Sequence, residues 1–305
     1  MLKPRPVRSG DRVAVIAPAS PFDPNDLEEG LRELRRLGFE PVVEEAIFAR
    51  RGYVAGEPEV RARALQRALD DPSIACVMAA RGGYGSVQLL PLLDAAAVAR
   101  SRTMIVGYSD LTSLLSFVSC RAGLVCAHGP TVADRLGRGG YDETSLLDVL
   151  GGKAPAGELT SPDLEVLVGG EASGPLFGGN MTQLAASLGT PYAFDPPAGC
   201  LLLLEDVNER PYRLDRIWTQ LRLAGVLDRA AGLVLADFPG CDEPGGEVGA
   251  RQVFADLVRS FAGPVLFGLA TGHSRCAPLT VPLGVRARIL AGSRPALVLE
   301  EPAVE

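Results

Sequence analysis

The sequence predicts an α/β protein with an N-terminal parallel-sheet domain and a smaller second domain. In the first half, short apolar runs typical of buried strands alternate with segments of helical periodicity, and this rhythm places parallel strands between helices. Residues 137–174 are rich in Gly, Pro, Asp and Glu, which indicates a crossing between domains. We therefore expect an N-terminal α/β domain at 1–150, a linker at 151–172 and a C-terminal β/α domain at 173–305.

The elements of the first half follow from periodicity and from capping residues. Asn25 or Asp26 can cap a first helix, which carries a leucine stripe and ends at Gly38. The strand at 74–79 runs into the loop RGGYGS, and the strand at 103–107 runs into GYSD. The further predicted elements are strands at 13–17 and 41–43 and helices at 60–69, 87–93, 111–119 and 144–150.

The second half resumes the alternation after FGGN. A strand at 200–204 ends in Glu205, and a strand at 265–269 runs into ATGHS. Between them, Leu214, Ile217, Trp218 and Leu221 form one helical stripe. The other predicted elements are helices at 181–188 and 251–261, a strand at 233–236, and a hairpin or meander over 280–300 with its turn at 291–293.

Composition excludes several classes of protein. The 305 residues carry a net charge of −7 with no block of like charges, which argues against a nucleic-acid surface and against a membrane anchor. The apolar run at 13–17 is too short for a secretion signal, and no run reaches membrane-spanning length. The six cysteines include no C-x-x-C pair, which favours reduced thiols and a cytoplasmic protein.

Residue counts also narrow the chemistry. The only histidines are His128 and His273, and neither has a metal-type partner four residues on, so we expect no bound metal. The only lysines, Lys3 and Lys153, are poorly placed for a serine–lysine dyad. RGGYGS lacks the G-x-G-x-x-G pattern because Gln88 stands at its last glycine position, so we expect no nucleotide cofactor.

The chemistry that remains after these exclusions is that of a serine nucleophile. Ser109 lies where a strand turns into a helix, the position in which a tight turn exposes a hydroxyl beside backbone N–H groups. The sequence GYSD is not G-x-S-x-G, and Ser109 or Asp110 could simply cap the helix. In parallel sheets ligands bind beyond the carboxyl ends of strands, where Glu205 and His273 also lie.

These three strand ends suggest a triad in which an acid orients a histidine and the histidine deprotonates Ser109. Asp206 is an alternative acid to Glu205, and His128 in CAHGP is an alternative base to His273. Gly82 and Gly83 would let the backbone approach a ligand as an oxyanion hole requires, or they form a plain turn. Asn180 in FGGN could contact substrate, although we favour a helix cap.

The chain contains an ordered set of motifs: RGGYG, GYSDLT, HGP, FGGN, LLEDVNERPYRLDR and GH. With this set, over nearly its whole length, it resembles the LD-carboxypeptidases, a serine peptidase family that includes the microcin C self-immunity peptidases. It implies a flavodoxin-like N-terminal domain, a swivelling C-terminal β/α domain and a homodimer. It also implies the catalytic order Ser109, Glu205, His273.

For the remaining site residues, the resemblance implies an oxyanion hole made by the N–H groups of Gly83, or of Gly82, and of Asp110. The loop residues Arg81, Gly82 and Tyr84 would bind substrate. An arginine should meet the terminal carboxylate of the substrate, and the candidates are Arg81, Arg213, Arg216 and Arg275.

The implied substrate is a murein tetrapeptide that loses its terminal D-alanine in cytoplasmic cell-wall recycling. Two alternatives stay open. A microcin-type immunity peptidase would cut an aminoacyl nucleotide with the same triad, and the short segment 237–249 is the only insertion that could hold the nucleotide. The second alternative is a non-catalytic ligand-binding protein built on the same doubly wound fold.

Overall fold

The first sheet contains the predicted parallel strands. In the computed structural model, which describes residues 1–152 and 157–305, it has the strand order β12-β5-β4-β3-β1-β2, and every pair except β12 with β5 is parallel. The order β2-β1-β3-β4-β5 is that of flavodoxin-like folds, which confirms the prediction. The strands are β1 (Arg12–Ile16), β2 (Glu40–Val43), β3 (Ile74–Ala79), β4 (Met104–Gly107), β5 (Cys126–His128) and β12 (Val281–Leu283).

Five helices accompany this sheet in the described part of the first half. The first begins at Pro24 because proline suits the opening turn, and the Asp23 side chain accepts a hydrogen bond from the Asn25 N–H. The predicted caps Asn25 and Asp26 were therefore wrong. The helices are α1 (Pro24–Arg36), α2 (Pro58–Asp70), α3 (Ala95–Ser101), α4 (Thr112–Ser116) and α5 (Glu143–Gly151).

Two segments of the first half that were predicted as α-helices form other kinds of helix, in whole or in part. The segment Ser86–Leu92 is a 3-10 helix because Pro91 lacks the N–H that an α-helix would need. The segment predicted as one helix at 111–119 consists of a 3-10 turn at Ser109–Leu111, then α4, then a π-helical turn at Phe117–Arg121. Ser109 itself opens the helical segment.

The second sheet is mixed. Its strand order among the described residues is β6-β14-β13-β8-β9-β10-β11-β7, and the four strands from β8 to β11 run parallel. The strands are β6 (Glu158–Leu159), β7 (Glu165–Val168), β8 (Gly170–Asn180), β9 (Cys200–Glu205), β10 (Ala230–Ala236), β11 (Val265–Leu269), β13 (Arg286–Ala291) and β14 (Ala296–Leu299). The helices are α6 (Met181–Ser187), α7 (Pro211–Leu223) and α8 (Ala250–Leu257).

Strand pairings connect the two halves of the chain. The predicted tail hairpin exists as β13 with β14, but β12 leaves it and pairs with β5 of the first sheet, so the predicted meander was only partly right. The strands β6 and β7 come from the range predicted as a linker and lie in the second sheet. The C-terminal segment thus ties the first sheet to the second.

The hydrophobic core is continuous between the sheets. Alternate residues of β9 point to opposite faces: Leu201 and Leu203 join the core shared with the first sheet, whereas Leu202 and Leu204 pack beneath α6, α7 and α8. The carboxyl ends of β4 and β9, where Ser109 and Glu205 lie, consequently meet at the junction between the two sheets.

Two findings bear on the surroundings of the chain. No helix in residues 1–152 and 157–305 combines the length and apolar character needed to cross a membrane. All six cysteines carry free thiols, and Cys276 is the exposed one.

Candidate active site

Ser109 occupies a sharp turn between β4 and the helical segment that follows. Its backbone φ is 63°, in the left-handed region that residues with a side chain rarely adopt. Gly107 makes the turn tight, since a Cβ there would stand 2.8 Å from the Leu111 side chain. The 3-10 turn and α4 begin without a side-chain cap, so neither Ser109 nor Asp110 serves as one. The strained turn holds Ser109 as a nucleophile elbow would.

Three predicted residues form one hydrogen-bonded row. Nε2 of His273 lies 3.1 Å from Oγ of Ser109, and Nδ1 of His273 lies 2.6 Å from Oε2 of Glu205. The backbone N–H of His273 also donates to the same carboxylate oxygen, at 3.3 Å. The row crosses the junction, because Ser109 follows β4 of the first sheet whereas Glu205 and His273 come from β9 and from the loop after β11.

Glu205 is a buried carboxylate that stays ionised. Burial acts to raise its pKa, but the hydrogen bond and the charge interaction with His273 outweigh burial and hold the pKa below its ordinary value. The Glu205 side chain has no exposed surface, and that of His273 is 17% exposed. The row is therefore open to solvent at the serine side, while the acid end is enclosed.

The backbone of the loop Arg81–Gly82–Gly83 packs closely against Ser109. A Cβ on Gly82 would stand 3.0 Å from Cβ of Ser109, and a Cβ on Gly83, whose φ is 97°, would stand 2.5 Å from Oγ of Ser20. Both carboxylate oxygens of Asp110 hold the end of this loop, since they accept hydrogen bonds from the N–H groups of Gly85 and Ser86 at 3.2 and 2.8 Å. The glycines thus allow a close backbone approach that any side chain would block.

Comparison with known proteins is decisive for the family. One family model, described as the LD-carboxypeptidase N-terminal domain, matches residues 13–129, and another, described as the LD-carboxypeptidase C-terminal domain, matches residues 173–289. The chain belongs to the LD-carboxypeptidase family.

Several members of the LD-carboxypeptidase family align over most of the chain. The probable murein peptide carboxypeptidase of Bacillus subtilis is 34% identical over 306 residues, which cover 97% of this chain and 94% of that protein. The murein tetrapeptide carboxypeptidase of Pseudomonas aeruginosa is 37% identical and covers 86% of this chain and 88% of its own. The microcin C7 self-immunity protein MccF of Escherichia coli is 26% identical over 93% of this chain and 92% of its own.

Solved structures share the fold. MccF in complex with glutamyl sulfamoyl guanosine superposes with a TM-score of 0.90 over 100% of both chains, at 23% identity. The muramoyltetrapeptide carboxypeptidase of Oxalobacter formigenes superposes with a TM-score of 0.81 over 95% of this chain and 99% of that one, at 28% identity. The two-lobed architecture is therefore that of the LD-carboxypeptidases.

Neither alternative residue belongs to the hydrogen-bonded row of Ser109, His273 and Glu205. His128 is fully buried, and no hydrogen bond joins it to Ser109 in the described residues. Asp206 accepts hydrogen bonds from Asn180 and Thr182 rather than from His273. Burial and the neighbouring Glu205 raise the pKa of Asp206 to about 6. Asn180 caps α6 by accepting from the Gln183 N–H, which confirms the favoured prediction.

The predicted substrate-binding side chains make no described hydrogen bond to the row of Ser109, His273 and Glu205. Arg81 is exposed and donates to the Pro21 carbonyl at 2.7 Å, and Tyr84 is 44% exposed, with its ring edge against Tyr53. Arg213 and Arg216 lie against Tyr212 on α7, with no described contact to the row. Arg275 is exposed two residues after His273. Lys153 lies outside the described residues.

Sequence reasoning missed the groups that hold the histidine loop. Arg135, on the first lobe, donates to the carbonyls of Gly272 and Ser274 at 3.0 and 3.1 Å. Its guanidinium also lies over the Tyr108 ring, whose edge-on partner at 5.0 Å is the His273 imidazole. Arginine and tyrosine are common at protein surfaces, so neither Arg135 nor Tyr108 stands out in the sequence. The one feature that could have pointed to a role at the site was the position of Tyr108 directly before Ser109.

A buried arginine holds the glycine loop from behind, and it too was missed. Arg61 on α2 is 3% exposed and donates to the carbonyls of Pro18, Gly56 and Gly85. Desolvation lowers its pKa, and the Asp110 charge opposes that effect. The sequence predicted a helix at 60–69, but it gave no indication of which carbonyls Arg61 would contact.

Proposed function

We propose that this chain is a serine LD-carboxypeptidase that releases the terminal D-alanine from murein tetrapeptides. The observation that carries the proposal is the row of Ser109, His273 and Glu205, with spacings of 3.1 and 2.6 Å. Family membership, together with relatives named as murein tetrapeptide carboxypeptidases, supports this choice of substrate.

The first half of the reaction forms an acyl-enzyme. Oγ of Ser109 attacks the carbonyl carbon of the L-centre while Nε2 of His273 takes its proton, which makes the imidazole cationic. Glu205 stabilises that charge and fixes the ring so that Nδ1 carries the other proton. The N–H groups of Gly83 and Asp110 receive the oxyanion. The carbon–nitrogen bond then breaks as His273 returns the proton to the D-alanine amine.

The second half releases the shortened peptide. A water molecule gives its proton to His273 and attacks the ester carbon, and the bond to Oγ of Ser109 breaks as that oxygen regains a proton. Arg81, Gly82 and Tyr84 are proposed to hold the substrate, with the guanidinium of Arg81 meeting the terminal carboxylate. No cofactor enters any step.

The cellular setting is part of the proposal. Six free thiols fit a reducing compartment, so we place the reaction in the cytoplasm, where murein fragments are recycled. A homodimer is expected from the family resemblance, and sedimentation equilibrium of the purified chain tests it: a mass of one chain at micromolar concentration would contradict it.

Mass spectrometry of a murein tetrapeptide after incubation tests the activity. We expect a product that is lighter by one alanine residue, and Ser109→Ala and His273→Ala should each abolish its formation while the far-UV circular dichroism stays that of the wild type. Full turnover by either variant would overturn the assignment of the row.

A microcin-type immunity peptidase is the second candidate, because MccF is 26% identical to this chain over 93% of it. The segment at 237–249, predicted as the only nucleotide-holding insertion, folds back on itself, since the Glu243 N–H donates to the Val248 carbonyl at 2.9 Å and the Gly246 N–H to the Glu243 carbonyl at 2.8 Å. The Glu243 side chain also pairs with Arg210 at 2.9 Å. This favours the murein peptide. Parallel incubation with an aminoacyl sulfamoyl adenosine decides, and faster cleavage of that compound would reverse the preference.

A further inference from the structure

A second histidine lies behind the acid end of the row. His128 ends β5 and has no exposed surface, yet neither of its ring nitrogens has a hydrogen-bond partner among the described residues. The same is true of Oε1 of Glu205, the carboxylate oxygen that does not face His273. Buried polar atoms without partners destabilise a fold, so two such groups side by side call for a common explanation.

Gly272 shows how close the two groups are. A Cβ at this position would stand 2.8 Å from Cδ and Oε2 of Glu205 and 2.9 Å from Nε2 of His128. Glycine, with a φ of 63°, leaves the space between ring and carboxylate open. Any larger residue would separate them.

The surroundings of His128 leave Glu205 as its natural acceptor. On either side of β5, the residues opposite His128 are Gly107 of β4 and Val281 of β12, which offer no side-chain polar atom. The ionisable groups that face the ring are Glu205 and His273, and the Tyr108 ring lies edge-on at 6.3 Å. Glu205 is in turn faced by His273, by His128 and by its neighbour Asp206.

We propose that His128 is a positioning residue of the triad, whose ring N–H donates a hydrogen bond to Oε1 of Glu205, directly or through one buried water. The bond would fix the rotation of the carboxylate so that Oε2 faces His273. This role rests on the proposed function for its effect on catalysis, although the contact itself does not depend on the substrate.

The charge state of the ring fits the role. Burial lowers the pKa of His128 to about 4, against the attraction of the Glu205 carboxylate. The ring is therefore neutral at the pH of the cytoplasm and carries one N–H donor and one acceptor nitrogen. A neutral donor stabilises the carboxylate without competing with His273 for the role of its cationic partner.

A matched pair of variants tests the catalytic effect. Glutamine and methionine have similar length, but only glutamine keeps an N–H near the position of Nε2. We expect His128→Met to lower kcat about tenfold to a hundredfold with KM nearly unchanged, and His128→Gln to recover most of that loss. Equal kcat values in the two variants would overturn the proposal.

Nuclear magnetic resonance gives an answer without any substrate. The chain has two histidines, so a sample with nitrogen-15-labelled histidine shows two rings, and His128→Met identifies which signals belong to His128. We expect the His128 ring to remain neutral from about pH 5.5 to 8 and its N–H signal to move in Glu205→Gln far more than in Ser109→Ala. An N–H signal unaffected by Glu205→Gln would refute the contact even if the peptidase activity is confirmed. Conversely, a wild type that leaves the tetrapeptide intact would refute the proposed function and not this contact.

Discussion

At the scale of the residue, Ser109 shows how backbone strain serves the proposed chemistry. A left-handed conformation costs a residue with a side chain roughly 1–2 kcal/mol, so the surrounding structure must impose it. Gly107 and Gly82 provide the room, since a Cβ at either would come within 3.0 Å of Leu111 or Ser109. With the backbone of Ser109 in this left-handed conformation, its Oγ lies within hydrogen-bond distance of His273. An ordinary right-handed conformation at the start of the helix would direct Oγ elsewhere.

Glu205→Gln tests the charge at the acid end of the row. The substitution preserves the shape of the side chain and an oxygen for His273 but removes the charge that stabilises the imidazolium. We expect kcat to fall by about a thousandfold to ten-thousandfold, with KM changed little. Steady-state kinetics on the tetrapeptide measures this, and a loss below tenfold would show that Glu205 does not carry the role.

Glu205 also links stability to pH with a defined sign. Its pKa in the folded protein lies below the ordinary value of 4.5, so its ionised form stabilises the fold above that pH. This contribution is lost as the pH falls through the lowered folded pKa. The difference in unfolding free energy between wild type and Glu205→Gln, measured by urea titration, should therefore shrink on acidification from pH 7 to below about 4. A constant or growing difference would contradict the lowered pKa.

At the scale of the element, the triad could be predicted because each member follows a strand. The apolar runs before Ser109, Glu205 and His273 are strong local signals, and parallel strands bring their carboxyl ends to one edge. The residues that hold these loops could not be predicted in the same way. Arg135 and Arg61 act on backbone carbonyls distant in sequence, and such contacts leave no local pattern.

Arg135→Met tests the contact between the first lobe and the histidine loop. Loss of the two hydrogen bonds to Gly272 and Ser274 should let His273 drift from Ser109, and we expect kcat to fall about tenfold to a hundredfold. Arg138→Met is the matched control, because Arg138 lies on the same segment, is exposed, and forms its described ion pairs with Asp26 and Asp134 rather than with the histidine loop. Equal kcat values for the two variants would show that the Arg135 clamp has no part in catalysis.

At the scale of the whole molecule, the row exists only because the two lobes share one core. The face of β9 that carries Leu201 and Leu203 belongs to the same apolar cluster as the first sheet, and β12 crosses from the C-terminal segment to pair with β5. The domain boundaries at 150 and 173 remain a prediction. Local periodicity could not predict that β12 would cross, since its three residues fit either sheet equally well.

A shared core predicts that the lobes unfold together. Trp218, the single tryptophan, packs in the apolar cluster beneath α6, α7 and α8, whereas Leu34 of α1 is fully buried in the cluster that contains the first sheet. Leu34→Ala should destabilise the protein by about 2–5 kcal/mol, because it leaves a cavity. If the lobes form one cooperative unit, the urea midpoint followed by Trp218 fluorescence should fall as far as that followed by far-UV circular dichroism. Leu223→Ala, at a position that is 74% exposed, serves as the control and should leave both midpoints in place. A Trp218 midpoint that stays unchanged in Leu34→Ala would mean that the second lobe unfolds on its own, and that the row is assembled by docking rather than by folding.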